Sequence, residues 1–76
     1  MVSVQIKLTS VQEIRSFVEK VTCYSMDVDL SSGRYVVDAK SIMGIFSLDL
    51  AKPVTLIAHG DDCDSFLNDI SEYIVR

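Results

Sequence analysis

Apolar and polar residues alternate from Met1 to Leu8, with Val2, Val4, Ile6 and Leu8 on one side and Ser3, Gln5 and Lys7 on the other. A period of two is that of a half-buried strand, because successive side chains leave opposite faces. The period then lengthens. Val11, Ile14, Phe17, Val18 and Val21 recur at helical spacing while Arg15, Glu19 and Lys20 take the other face, which predicts a helix from about Val11 to Thr22. Thr9 and Ser10 supply hydroxyls suited to its N-cap, with Gln12 and Glu13 placed as in a capping box.

Alternation resumes at Tyr24, Met26, Val28 and Leu30 against Ser25, Asp27 and Asp29, and Ser31-Ser32-Gly33 turns this second strand into a third from Arg34 to Ala39. In the apolar run Ile42-Met43-Gly44-Ile45-Phe46-Ser47-Leu48, residues Ile42, Ile45 and Phe46 fit one face of a short helix capped by Ser41. Pro53 limits its extension. A fourth strand is expected from Val54 to His59, closed by Gly60. Asp61 and Asp62 then offer carboxylates to the start of a last helix, where Phe66, Leu67, Ile70, Tyr73 and Ile74 form a stripe predicted to run unbroken to the C-terminus.

The predicted order β-α-β-β-α-β-α gives four strands facing one layer of helices, an open-faced α/β (α+β) sandwich with a mainly antiparallel sheet. At 76 residues the chain is expected to be one small domain over 1–76, and 49% hydrophobic with 24% charged residues is a globular composition. Eleven acidic against seven basic residues leave a net charge of -4, with the basic ones scattered singly, so no nucleic-acid partner is expected. No apolar run reaches membrane-spanning length and Met1 to Gln5 lacks the regions of a signal peptide, which points to a cytoplasmic location without membrane association. Cys23 and Cys63 are too few for a disulfide scaffold and are expected to be reduced.

Few residues suggest catalysis. His59 is the only histidine, and although Cys63 lies four positions on, Gly60 intervenes and no further ligand has metal-site spacing, so no metal is expected. Asp61, Asp62 and Asp64 with Glu72 span the length of an EF-hand loop, but Cys63 and Phe66 stand where such a loop needs an oxygen ligand and a glycine. Acidic residues at a helix start are explained by the helix dipole. Neither an enzymatic activity nor a cofactor is expected.

The segment Lys40-Ser41-Ile42-Met43-Gly44-Ile45-Phe46-Ser47-Leu48 resembles the regulatory-serine segment of HPr, the histidine-containing phosphocarrier of the bacterial sugar phosphotransferase system. The likeness is strongest from Ser32 to Gly60 and, through the element order, extends over nearly the whole chain. It implies the HPr fold. It also implies a phosphorylatable histidine just before the first helix, followed two residues later by arginine and then by proline. Counted back from Ser41 without a gap, these positions fall on Ser10, Gln12 and Glu13.

A hydroxyl with no local base cannot replace an imidazole that relays a phosphoryl group, Gln12 lacks a guanidinium to hold the phosphate, and Glu13 adds a repelling charge. Carrier chemistry at this site is therefore not expected. The resemblance implies a second use of the fold: in low-GC bacteria a dedicated kinase phosphorylates the serine corresponding to Ser41, and the product binds a catabolite-repression transcription factor. Expected partners are accordingly proteins of the phosphotransferase system or its regulators, docking on Ile42, Met43 and Phe46 around Ser41. Two other readings stay open: a phosphocarrier using another acceptor such as His59, and a scaffold that is never phosphorylated.

Overall fold

The alternating segments pair as one sheet in the computed structural model, which describes residues 1–61 and 63–75. The strands are β1 (Val2–Ile6), β2 (Asp27–Ser32), β3 (Tyr35–Asp38) and β4 (Val54–His59), in the order β1-β4-β2-β3 with every neighbouring pair antiparallel. Three helices cover one face: α1 (Val11–Thr22), α2 (Ile42–Phe46) and α3 (Cys63–Asp69). This is the open-faced architecture the periodicities predict, and α1 and β4 begin and end where they were expected.

Register decides which residues meet the helices. Val4 opposes Leu56 and Leu30 also opposes Leu56, so Val2, Val4 and Ile6 share a face with Val54, Leu56 and Ala58 and with Val28 and Leu30. That face packs on Ile14, Phe17 and Val21 of α1, Ile45 of α2 and Phe66 of α3, a single core in which no polar side chain among the described residues is buried. The other face carries Ser3, Gln5, Thr55, Ile57, His59, Asp27, Asp29, Ser31, Val36 and Asp38.

Four expectations need correction. β2 starts at Asp27, not Tyr24, because the N–H of Tyr24 still donates to the Val21 carbonyl at 3.0 Å in the turn leaving α1. Ser31 and Ser32 belong to β2, and the turn is the two-residue loop Gly33-Arg34, with Gly33 at φ 60°, where a side chain would be strained. β3 begins correspondingly at Tyr35, not Arg34, and ends at Asp38.

The last helix is not continuous to the C-terminus. α3 ends at Asp69, a 3₁₀ turn spans Ser71–Tyr73, and Ile74 forms an antiparallel bridge to Ile6. Lys7 N–H donates to the Tyr73 carbonyl at 2.8 Å and Val75 N–H to the Gln5 carbonyl at 2.9 Å, so the tail satisfies the outer edge of β1. A longer helix would leave that edge bare. Asp61 is exposed ahead of α3, whereas the expected contribution of Asp62 lies outside the described residues.

Candidate functional site

Ser10 and Ser41 each head a helix, and each is exposed. Ser10 has extended backbone at φ -149°, ψ 160°, and its Oγ accepts from the Glu13 N–H at 3.1 Å. The side chain of Glu13 does not return to the Ser10 N–H as a capping box would have it. Its Oε1 instead accepts from both the N–H and the Oγ1 of Thr9, each at 2.7 Å. Those two bonds hold the Glu13 carboxyl below its ordinary value of 4.5. The position where the resemblance expects a reactive imidazole is thus a hydrogen-bonded helix cap.

Two shallow grooves flank Ser10. One of about 330 Å³ is lined by Ser10, Gln12, Glu13, Ser16, Lys20 and the Glu72-Tyr73 pair. Here the Lys20 ammonium bonds to the Glu72 carboxylate and lies 5.3 Å from the centre of the Tyr73 ring, holding the α1 face to the C-terminal segment. The bond from Lys20 keeps the Glu72 carboxyl below its ordinary value, and the same bond raises the Lys20 ammonium. Burial raises the Tyr73 hydroxyl.

The second groove, of about 380 Å³, is apolar, running along Leu8, Thr9, Ser10, Val11, Ile14, Phe46 and Leu50. It joins the Ser10 end of α1 to the helix headed by Ser41. Val11 belongs to the apolar stripe that the spacing predicts for α1, yet at the first position of the helix it is 53% exposed. Val11 and Leu50 are the lining residues that sequence reasoning missed: an apolar residue at a helix end has the same pattern whether it meets the core or a groove.

At Ser41 the Oγ accepts from the Gly44 N–H at 3.2 Å, as the cap reading predicts. A helix of five residues can turn only a narrow face inward, and it buries Ile45 completely. Ile42 is half-buried against the core. Met43 is 76% and Phe46 45% exposed, so Phe46 does not lie on the buried face with Ile45. The charged neighbours of Ser41 are already engaged: Asp38 Oδ1 accepts from the Lys40 N–H at 2.9 Å, Asp49 Oδ1 from the Ala51 N–H at 3.1 Å, and the Lys40 ammonium donates to the Tyr24 carbonyl at 2.8 Å.

His59 lies elsewhere, on the open face of the sheet. Its Nε2 is 3.0 Å from Asp29 Oδ2, in a hollow lined also by Asp27, Val28 and Asp38. No metal-binding group of three or more His, Cys, Asp or Glu residues occurs among the described residues, and Cys23 and Cys63 are free thiols. No helix among the described residues is long and apolar enough to cross a membrane.

Comparison with known proteins gives a consistent set of likenesses. The family model described as "PTS HPr component phosphorylation site" matches residues 11–76. The HPr-like protein Crh of Bacillus subtilis (strain 168) is 38% identical over 60 residues, spanning 76% of this chain and 71% of its own. Among solved structures, the phosphocarrier HPr of Bacillus anthracis str. Ames superposes with a TM-score of 0.74 at 27% identity, over 97% of this chain and 94% of that one. The structure of B. subtilis Crh, an intertwined dimer with a swapping domain, superposes with a TM-score of 0.67 at 30% identity, over 100% of this chain and 93% of its own.

Proposed function

We propose, from the premise that this chain belongs to the HPr family, that it is a regulatory or adaptor protein of the phosphotransferase system and carbon catabolite control. It acts by binding proteins around Ser41 and does not carry phosphate on histidine. Members of this family are phosphocarriers or regulators rather than catalysts, and they interact with phosphotransferase proteins and their regulators. The observation that carries the reading is the exposure of Met43 and Phe46 on the helix that the exposed Ser41 caps. Ile42 supports them from the half-buried side of the same helix.

Phosphorylation of Ser41 would leave acceptor oxygens beside the Gly44 N–H and add a charge of about -1.5 to -2. The Lys40 ammonium, directed at the Tyr24 carbonyl, offsets that charge only in part and leaves room for a second cation. An arginine or lysine of the partner would supply one, through the strong charge-assisted bonds that phosphate accepts. The apolar side chains beside it would give the contact area, Met43 adapting through its flexible thioether. The partners are a serine kinase and a transcription factor that recognises the phosphorylated form, and the site of action is the cytoplasm.

Carrier chemistry on His59 is disfavoured by charge. A phosphoryl group on that imidazole would enter the hollow lined by Asp27, Asp29 and Asp38. Three carboxylates there oppose a dianion, whereas a carrier site needs cations or N–H donors.

The binding reading is tested by titrating the phosphorylated chain and its Met43→Asp variant against the transcription factor. Loss of binding with an unchanged melting curve is expected. Equal affinity of the two proteins would refute the assignment of this surface.

A further inference from the structure

The two edges of the sheet differ. β1 is covered by the C-terminal tail, but β3 has β2 on one side and, among the described residues, no strand on the other. Ala39 N–H donates to the Val28 carbonyl at 2.9 Å, so Tyr35, Val37 and Ala39 direct their backbone groups toward β2. By the alternation of an antiparallel ladder, Val36 and Asp38 direct theirs away from the sheet, where the Asp38 carbonyl already accepts from the Ser41 N–H at 3.0 Å. Tyr35 is 70% and Val36 62% exposed, on opposite faces of this strand.

Edge strands are commonly protected by a charge at their centre. Here the centre is apolar and the charges flank it. Arg34 and Asp38 each stand two residues from Val36, with opposite signs. A strand whose charges are reversed about its midpoint is complementary to itself when turned antiparallel.

We propose that β3 is a self-association edge, pairing antiparallel with β3 of a second copy about a two-fold axis at Val36. Val36 opposes Val36 of the second copy, both with outward backbone groups, so the two exchange a pair of N–H···O bonds. Tyr35 then packs over the opposing Val37, and Arg34 of each copy lies beside Asp38 of the other. A one-residue slip would break both ion pairs and turn the apolar side chains to the wrong faces.

A second observation favours the same occupant. Within one copy Asp38 stands directly opposite Asp29, a like-charge pair that destabilises a sheet. His59 reaches Asp29, at 3.0 Å, but no ion pair to Asp38 is found among the described residues. The guanidinium of the second copy's Arg34 would answer that carboxylate. With four residues the strand is short, so the pairing is weak and concentration-dependent.

The test is sedimentation velocity over a wide concentration range at physiological ionic strength, on the full chain and on Arg34→Asp and Asp38→Arg, each checked by thermal melting. Either variant replaces two attractive pairs by two repulsive ones and is expected to weaken self-association by about tenfold or more. An equimolar mixture of the two variants restores both pairs across the mixed dimer and should associate as the parent does. Val36→Lys, which touches neither charge nor the Lys40 N–H held by Asp38, should abolish pairing without unfolding the chain. A parent that stays monomeric throughout would overturn the proposal, as would a mixture no better than its separate components. So would a dimer indifferent to all three variants, which is what exchange of another element would produce.

Discussion

The carboxylate of Glu13 accepts both hydrogen bonds that Thr9 can donate, from its N–H and from its hydroxyl, at 2.7 Å each. This contact pins the segment before α1 at the position where a carrier of this family would hold its reactive histidine. A side chain that would repel a phosphoryl group is thereby used to fix the backbone. Its folded-state pKa is lowered, so its contribution to stability is full above the ordinary value of 4.5 and is lost as pH falls through the lowered folded value. Glu13→Gln is expected to lower stability at pH 7 by about 0.5–1 kcal/mol, small because the group is exposed. The difference between the two proteins, read from urea denaturation, should vanish in acid; a constant difference down to pH 2 would contradict it.

Removing the Ser10 hydroxyl leaves the Glu13 N–H without its acceptor. Ser10→Ala should cost about 1 kcal/mol, the usual loss of an N-cap, and Ser10→Asp should recover most of it. Chemical denaturation of the pair checks this. An alanine variant as stable as the parent would show that the hydroxyl is not needed as a cap.

Met43 and Ile45 lie two residues apart in α2 with opposite exposures, 76% and 0%. Met43→Asp should therefore change stability by less than about 1 kcal/mol. Ile45→Ala should lose about 2–5 kcal/mol, a large share of the roughly 4–11 kcal/mol available to a chain of this size. A cooperative melt for Met43→Asp and a marginal one for Ile45→Ala is the expected pattern. The reverse would mean that α2 presents a different face.

Much of the fold was legible because its signals are local. In β4 the helix-facing Val54, Leu56 and Ala58 alternate with Thr55, Ile57 and His59, and only one face of the sheet is covered, so periodicity marked its span. Tyr24 and Met26 misled for the same reason: they are half-buried in a turn, Tyr24 lying edge-on to Phe66 at 5.1 Å, and alternation cannot distinguish that from a strand. The break after α3 was not legible, because it depends on Ile74 meeting Ile6 at the other end of the chain.

At the candidate site the Ser41 cap was readable from the residues alone, whereas the apolar run of α2 does not show by its pattern whether Met43 is exposed or packed. The groove joining Phe46 to Val11 and Leu50 was not readable either, since it exists only once α1 and α2 are packed side by side. The pairing of His59 with Asp29 was likewise hidden by their distance in sequence.

The central claim is that phosphate enters at Ser41 and not on a histidine, and intact mass tests it most directly. Incubation with ATP and the serine kinase that acts on HPr should add one acid-stable phosphate, absent from Ser41→Ala, while phosphoenolpyruvate and the first enzyme of the phosphotransferase system should leave the mass unchanged. An acid-labile phosphate gained from phosphoenolpyruvate and lost in His59→Ala, with none added by the kinase, would contradict the account.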